Sequence, residues 1–236
     1  MDAEQGGRRD GDEDEEGRAF RQLLHSLRAG AGELPGFVPE EAPAEPLPLF
    51  RRWLREAAEA GAPEPHTMTL ATADADGRPS LRTVMLHDAD ERGWHFGSHR
   101  TSRKGRELAH RPYAALGFYW AAVGRQVRVS GPVTTAGPEE SAADLRRRSP
   151  DALVAALVGR QSEVLDSYEE LIRAFDTARA RVAREPDAVA PTWTRYLLMP
   201  DEVEFYQGDR HRRHVRLRYR RPGAAGTDWR RELLWP

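Results

Sequence analysis

No cysteine occurs in this 236-residue chain, which excludes disulfides, thiolate metal sites and cysteine nucleophiles. No run approaches the ~20 apolar residues of a membrane span, and no apolar signal segment opens the chain. A soluble, cytoplasmic protein is therefore the expectation. A charge excess is missing as well: 36 Lys and Arg face 38 Asp and Glu, for a net charge of −2 and a pI near 6.5. No global field then draws in nucleic acid or an anionic membrane. Lysine is almost absent. Lys104 stands alone, and arginine supplies the other 35 of the 36 strong cations. The Arg, Ala, Gly and Pro bias matches GC-rich coding, so a single arginine carries little information and the retained lysine carries more.

Residues 1–18 hold eight acids and three arginines, with no large apolar side chain after Met1. Such a segment buries too little to offset ordering entropy and is expected to be a disordered acidic tail ahead of one domain, 19–236. "AFRQLLHSLRAG" (19–30) has the spacing of a short amphipathic helix closed by Gly30. After a Pro-rich connector, Leu49, Phe50, Trp53, Leu54 and Ala57 form one helical stripe. "TMTLATAD" and "RPSLRTVMLHD" flank an "ADG" turn and read as a hairpin, and "DERG" leading into "WHFGSH" suggests a second. A helix near 102–110, strands over "YAALGFYW" and "RQVRVSGPV", helices near 138–158 and 163–184, and four further strands follow. Hairpin-linked strands with helices gathered between them indicate an α+β fold with an antiparallel sheet or barrel.

Four stretches could carry chemistry. In "HRTSRKGREL" (99–108) and just before it, Ser98, Thr101, Ser102, Arg103 and Lys104 sit at a strand end and a helix start. Backbone N–H groups, hydroxyls and two cations there can cradle a phosphate. Alone, the stretch fits a capped helix with a solvated basic face equally well. The glycine spacings of a Walker A loop or a Rossmann turn are absent. Arg82 shares its strand face with Val84 and Leu86, which calls for an anionic partner or a wet edge. "HRRHVRLRYRR" (211–221) has a His pair but no carboxylate or cysteine cluster, so no metal site is expected. Its arginines do not amount to a nucleic-acid module. "GRQSE" (159–163) reads as a helix–helix loop.

In order, "PLPLFRRWLREA", "MTLATADADGRPSLRTVML", "FGSHRTSRKGREL", "GRQVRVSG", "GRQSE", "EVEFYQGDRHRRHVRLRY" and "LLWP" resemble the pyridoxamine 5′-phosphate oxidase family. These are FMN enzymes built on an antiparallel split β-barrel with flanking helices, and the resemblance spans roughly residues 45–236. It implies that Arg82 and Lys104 pair with the FMN phosphate, with Arg103, Gly97 and Ser98 beside them. The strand of Arg82, Thr83, Val84, Met85, Leu86 and His87 would run beneath the isoalloxazine. Gln126 would bond the flavin's polar edge, and Gln161 and Ser162 would reach in from the partner subunit. Tyr206 occupies a position usually held by Trp. Arg216 would face the pyrimidine side, where a cation stabilises reduced flavin. Arg212 and His214 would approach the substrate as the catalytic pair. The resemblance further implies a homodimer with two FMN sites at its interface.

The vitamin B6 oxidases of the family hold the substrate phosphate with Lys, Tyr, Arg and Ser. The corresponding positions here are His87, Asp144, Arg148 and Ala152, unless a short slip in "DLRRRSPDA" brings Ser149 into play. Losing two or three bonds to a charged group implies roughly 3–6 kcal/mol, or about 10²–10⁴ in affinity. The chain better resembles the phenazine-biosynthesis branch, in "MTLATAD", "GRPS", "KGREL", "YW" and "RQSEVLDSYEEL". That branch implies hydride transfer from a reduced, non-phosphorylated N-heteroaromatic to flavin and then to O2, giving H2O2. His87, Arg148, Arg212 and His214 would surround the substrate. A pyridoxine/pyridoxamine 5′-phosphate oxidase and a non-catalytic flavin-binding protein remain as alternatives.

Overall fold

A computed structural model describes residues 10–27, 34–185, 187–221 and 228–236. Helix α1 spans Asp10–Ser26 and α2 spans Pro46–Glu59. Strands β1 (Thr67–Ala73), β2 (Pro79–Met85), β3 (Asp88–Asp90) and β4 (Gly93–His99) then precede α3 (Arg103–His110). Next come β5 (Tyr113–Trp120), β6 (Arg125–Thr135), α4 (Pro138–Arg146), α5 (Pro150–Val158) and α6 (Tyr168–Arg184). The chain ends with β7 (Trp193–Leu198), β8 (Glu202–Gln207), β9 (Val215–Arg220) and β10 (Arg230–Leu234).

All strand pairs are antiparallel. One path runs β10-β9-β8-β6-β5-β1-β2, and β7 ties β6 to the β4–β3 pair. Strand β6 serves both parts: Arg125–Ser130 pair with β8, whereas Val133–Thr135 pair with β7. Gly131 lies at the handover, where a Cβ would stand 2.1 Å from the Met199 carbonyl oxygen. This is the expected split antiparallel barrel with flanking helices. The expected β1–β2 hairpin closes through Asp74, whose Oδ1 accepts the N–H groups of Asp76 (3.0 Å) and Arg78 (2.8 Å), with Gly77 at φ 85°.

Helix α2 plugs the barrel with the stripe read from the sequence. Leu49, Phe50, Trp53 and Ala57 are buried, and Phe50 meets Trp94 and Phe118 edge-on at 5.3 and 5.0 Å. Each such ring contributes roughly 1.5–3 kcal/mol of burial free energy.

Three expectations are corrected. Residues 1–9 and Gly30 lie outside the described residues, but from Asp10 the acidic segment is helical rather than disordered, and α1 ends at Ser26. Carboxylates near a helix N-terminus are favoured by the macrodipole, so an acid-rich run can open a helix. The helix expected near 138–158 is two helices, because Pro150 cannot continue α4 and instead starts α5 under a Ser149 cap. The helix expected from 163 starts at Tyr168, capped by Ser167. No helix among the described residues is long and apolar enough to cross a membrane.

Phe50→Ala is expected to destabilise the protein by about 3–5 kcal/mol, read from the midpoint shift in urea unfolding at unchanged m-value.

Candidate active site

Lys104 lies in the first turn of α3, directly after Ser102, which caps the helix by accepting the Gly105 N–H. The lysine is only 6% exposed, and its Nζ donates to Ser98 Oγ (3.0 Å) and Gln161 Oε1 (2.8 Å). Ser98 Oγ also donates to Gln161 Oε1 at 3.0 Å, and Ser162 Oγ accepts the Arg103 backbone N–H at 3.2 Å. Ser162 holds a left-handed φ of 74° in the α5–α6 loop, which turns the "GRQSE" segment back onto the start of α3. Burial, reinforced by Arg82 and opposed by Glu107, pushes the Lys104 ammonium down to about 8. A buried cation bonded to neutral oxygens is under-compensated, and an incoming anion completes it.

Arg82, Arg103, Ser98, Gln161 and Ser162 line the same cavity, of about 800 Å³, along β2, which among the described residues has no strand on its far edge. Thr83, Val84, Met85, His87 and Gly97 also line it. Leu86 is packed on the core, and its N–H and that of His87 are taken by the carbonyls of His66 and His95. Arg82 has the anionic partner that its face required: its Nη2 lies 3.0 Å from Glu107 Oε2. Gly97 must be glycine, since a Cβ would stand 2.4 Å from the Trp193 ring and 2.9 Å from His87.

At the other end of the cavity, the Asp144 carboxylate (9% exposed) accepts from Arg148 Nη2 at 2.5 Å and from Trp193 Nε1 at 3.2 Å. His87 Nδ1 is 3.8 Å from Asp144 Oδ1. Burial and then the nearby Arg148 push His87 down to about 4 against the pull of Asp144, so it is neutral at pH 7. Ala152 contributes only a methyl group to the lining.

Gln126, Tyr206 and Arg216 are brought together elsewhere. They are direct neighbours across β6, β8 and β9, and Tyr119 extends the row on β5. Directly paired residues share a sheet face. Arg82 pairs with Leu70, and Leu70 continues through Leu116 and Val129 to Val203 along the core face. The Gln126 row has the opposite parity and lies on the outer face. Arg216 is bound there by Glu204 (Nε to Oε1 2.8 Å) and the Trp235 carbonyl (2.8 Å). Next to this row, the His214 ring lies 5.1 Å from that of Tyr206 and accepts the Asp209 N–H at Nδ1 (3.0 Å). Arg212 follows in the same loop at φ 62°.

The expectation that Gln161 and Ser162 arrive from a partner subunit is corrected: both come from the same chain as Lys104. The loop after α5 is long enough to fold back onto α3, and one chain supplies that contact. Sequence reasoning passed over Glu107 and Trp193. Glu107 had a signal, four residues after Arg103 on one helix face. Trp193 had none, because only the β4–β7 pairing brings it to His99 and Gly97.

Residues 54–182 match the model of the pyridoxamine 5′-phosphate oxidase family, and residues 193–236 match the pyridoxine 5′-phosphate oxidase C-terminal dimerisation region. The chain belongs to this family. It is 45% identical over 193 residues to a pyridoxine/pyridoxamine 5′-phosphate oxidase of Salinibacter ruber, covering 81% of this chain and 89% of that protein. Among solved structures, PhzG of Burkholderia lata, in complex with tetrahydrophenazine-1-carboxylic acid, is 33% identical with a TM-score of 0.78. That match covers 87% of this chain and all of PhzG (100%). An FMN-binding relative from Nostoc punctiforme, at 19% identity and TM-score 0.64, shares the fold. It covers 79% of this chain and 97% of its own.

Anion affinity at the Lys104 cluster, titrated with FMN, is expected to hold between about pH 7 and 8, where the phosphate is already dianionic. It should fall by up to about tenfold per pH unit above that range, as the free ammonium loses its proton before binding.

Proposed function

We propose that this family member is a cytoplasmic FMN-dependent oxidase of reduced, non-phosphorylated N-heteroaromatic acids, working in specialised metabolism. The observation that carries the substrate half is the Asp144–Arg148 pair. Where the B6 oxidases grip a phosphate, the one retained cation is already bonded to a buried carboxylate, His87 is neutral, and Ala152 offers no donor. A dianionic phosphate would meet the Asp144 charge there, with Arg147 and Ser149, which also line this cavity, as the remaining donors beside Arg148. A single aromatic carboxylate asks for less, and Arg148 has an Nε that no group among the described residues bonds.

The cofactor half rests on the under-compensated Lys104. Its cluster fits the FMN phosphate: three cations, the Ser98 and Ser162 hydroxyls and the Gln161 amide surround one cavity end. When bound, FMN would accept a hydride from the substrate and pass the two electrons to O2, yielding H2O2 and the oxidised heteroaromatic. The chain's own residues hold the phosphate, keep the β2 edge against the ring, and close the substrate end with Trp193 and Ala152. Gln126, Tyr206 and Arg216 cannot reach this cavity from the same chain, because they lie several strands away from the β2 edge. In a homodimer, a second copy would bring its outer face to the β2 edge, adding that row with Arg212 and His214. The match of residues 193–236 to a dimerisation region supports this assembly.

The identity to B6 oxidases favours a second reading, turnover of pyridoxamine 5′-phosphate to pyridoxal 5′-phosphate. Anaerobic mixing of FMN-loaded protein with each substrate class separates the two. Reduced heteroaromatic acids are expected to bleach the flavin, and kcat/KM for pyridoxamine 5′-phosphate should lie about 10²-fold or more below that of the Salinibacter ruber relative. Comparable values would establish the B6 reading. Bleaching by neither class would leave a flavin-binding protein without turnover. The double variant Arg82→Ala/Lys104→Ala is expected to purify colourless with a native circular dichroism spectrum, and normal flavin content would refute the phosphate assignment.

A further inference from the structure

Three cations, Arg82, Arg103 and Lys104, crowd one end of the cavity, and like charges at such range resist being held together. Behind them, and not lining the cavity, lies a carboxylate that sequence reasoning left unused. Glu107 is 5% exposed. Its Oε2 accepts from Ser80 Oγ (2.7 Å), Thr72 Oγ1 and Arg82 Nη2 (3.0 Å), and its Oε1 accepts from Arg103 Nε (2.8 Å). Four donors from β1, β2 and α3 thus converge on one buried anion. Burial alone would raise the Glu107 carboxyl, but hydrogen bonds from Thr72, Ser80 and both arginines hold it near 2, so it is charged throughout the working range.

We propose that Glu107 is a positioning residue for the cofactor-phosphate clamp, an anion set behind Arg82 and Arg103 that fixes both guanidinium groups before the phosphate arrives. An acid inside an anion site would ordinarily compete with the ligand. Here its position decides otherwise, since both oxygens are occupied by protein donors and the arginines stand between it and the cavity. Arginine carries large rotamer entropy, and a side chain fixed in advance spares the ligand that ordering cost. The negative charge also opposes the mutual repulsion of the three cations and favours the charged form of Lys104.

This proposal rests on the FMN reading, and the experiment separates the two. Apo-protein is titrated with FMN and with riboflavin, which lacks the phosphate, following flavin fluorescence quenching for wild type, E107Q and T72V. Wild type is expected to prefer FMN strongly. In E107Q, FMN binding should weaken by about tenfold or more while riboflavin binding stays within about twofold, and T72V should shift the same ratio in the same direction by less. If E107Q does not fold, the T72V ratio decides. An unchanged or tighter FMN affinity would overturn the proposal, as would equal losses for both flavins. Wild type that fails to distinguish FMN from riboflavin would instead bring down the phosphate clamp, and Glu107 with it.

Discussion

A buried ammonium cannot be left unbonded, and meeting that constraint at Lys104 organises one half of this molecule. The donors of a single side chain must find acceptors in a place that water barely reaches. They find them at the end of β4 (Ser98), at the cap of α3 (Ser102, 3.5 Å) and in the loop between α5 and α6 (Gln161). Ser98 and Ser102 are near neighbours of Lys104 in sequence, but Gln161 is distant, so that bond fixes the α5–α6 loop against the start of α3. None of the three is charged, which leaves the ammonium short of a counter-charge and the cavity end receptive to an anion. Glu107 balances the cluster from behind without entering the cavity.

The opposite cavity end is built the other way. There the Asp144 carboxylate reaches Arg148 and Trp193, and a neutral His87 sits beside it. One end of the space therefore presents an ammonium bonded only to neutral oxygens, whereas at the other Arg148 is paired with Asp144 beside Arg147 and Ser149. A ligand with a phosphate at one end and a planar, weakly charged partner at the other matches this polarity. Breaking a buried ion pair from one side is costly, so Asp144 and Arg148 stabilise each other's conformation.

Sheet parity imposes the remaining constraint. Side chains alternate between faces along every strand, so Arg82 and the Gln126–Tyr206–Arg216 row are fixed on opposite sides of one sheet. No loop movement changes that relation. The residues that the family resemblance gathers into one site therefore fall into two sets on this chain, the Lys104 cluster at the β2 edge and the Gln126 row several strands away.

Local periodicity made much of the fold legible. The α2 stripe, the Asp74–Gly77 turn, the face of Arg82 and the capped start of α3 are set by residues within a few positions of one another, and the structure keeps each. The α4–α5 break had a signal in Pro150 that the expectation of one helix passed over, and the acidic start of α1 was the harder case because helix and disorder share that composition. What the sequence by itself determined was the split-barrel family and the membership of the Lys104 cluster, since motif order and strand parity are written along the chain. The Arg103–Glu107 and Asp144–Arg148 pairs are local, each four residues apart, but tertiary structure alone decided that Gln161 and Ser162 serve their own chain's Lys104, that Glu107 also meets Thr72, Ser80 and Arg82, and that Asp144 meets Trp193. Those contacts join groups brought together only by closure of the barrel and the return of the α5–α6 loop, and no local spacing specifies where a returning loop lands.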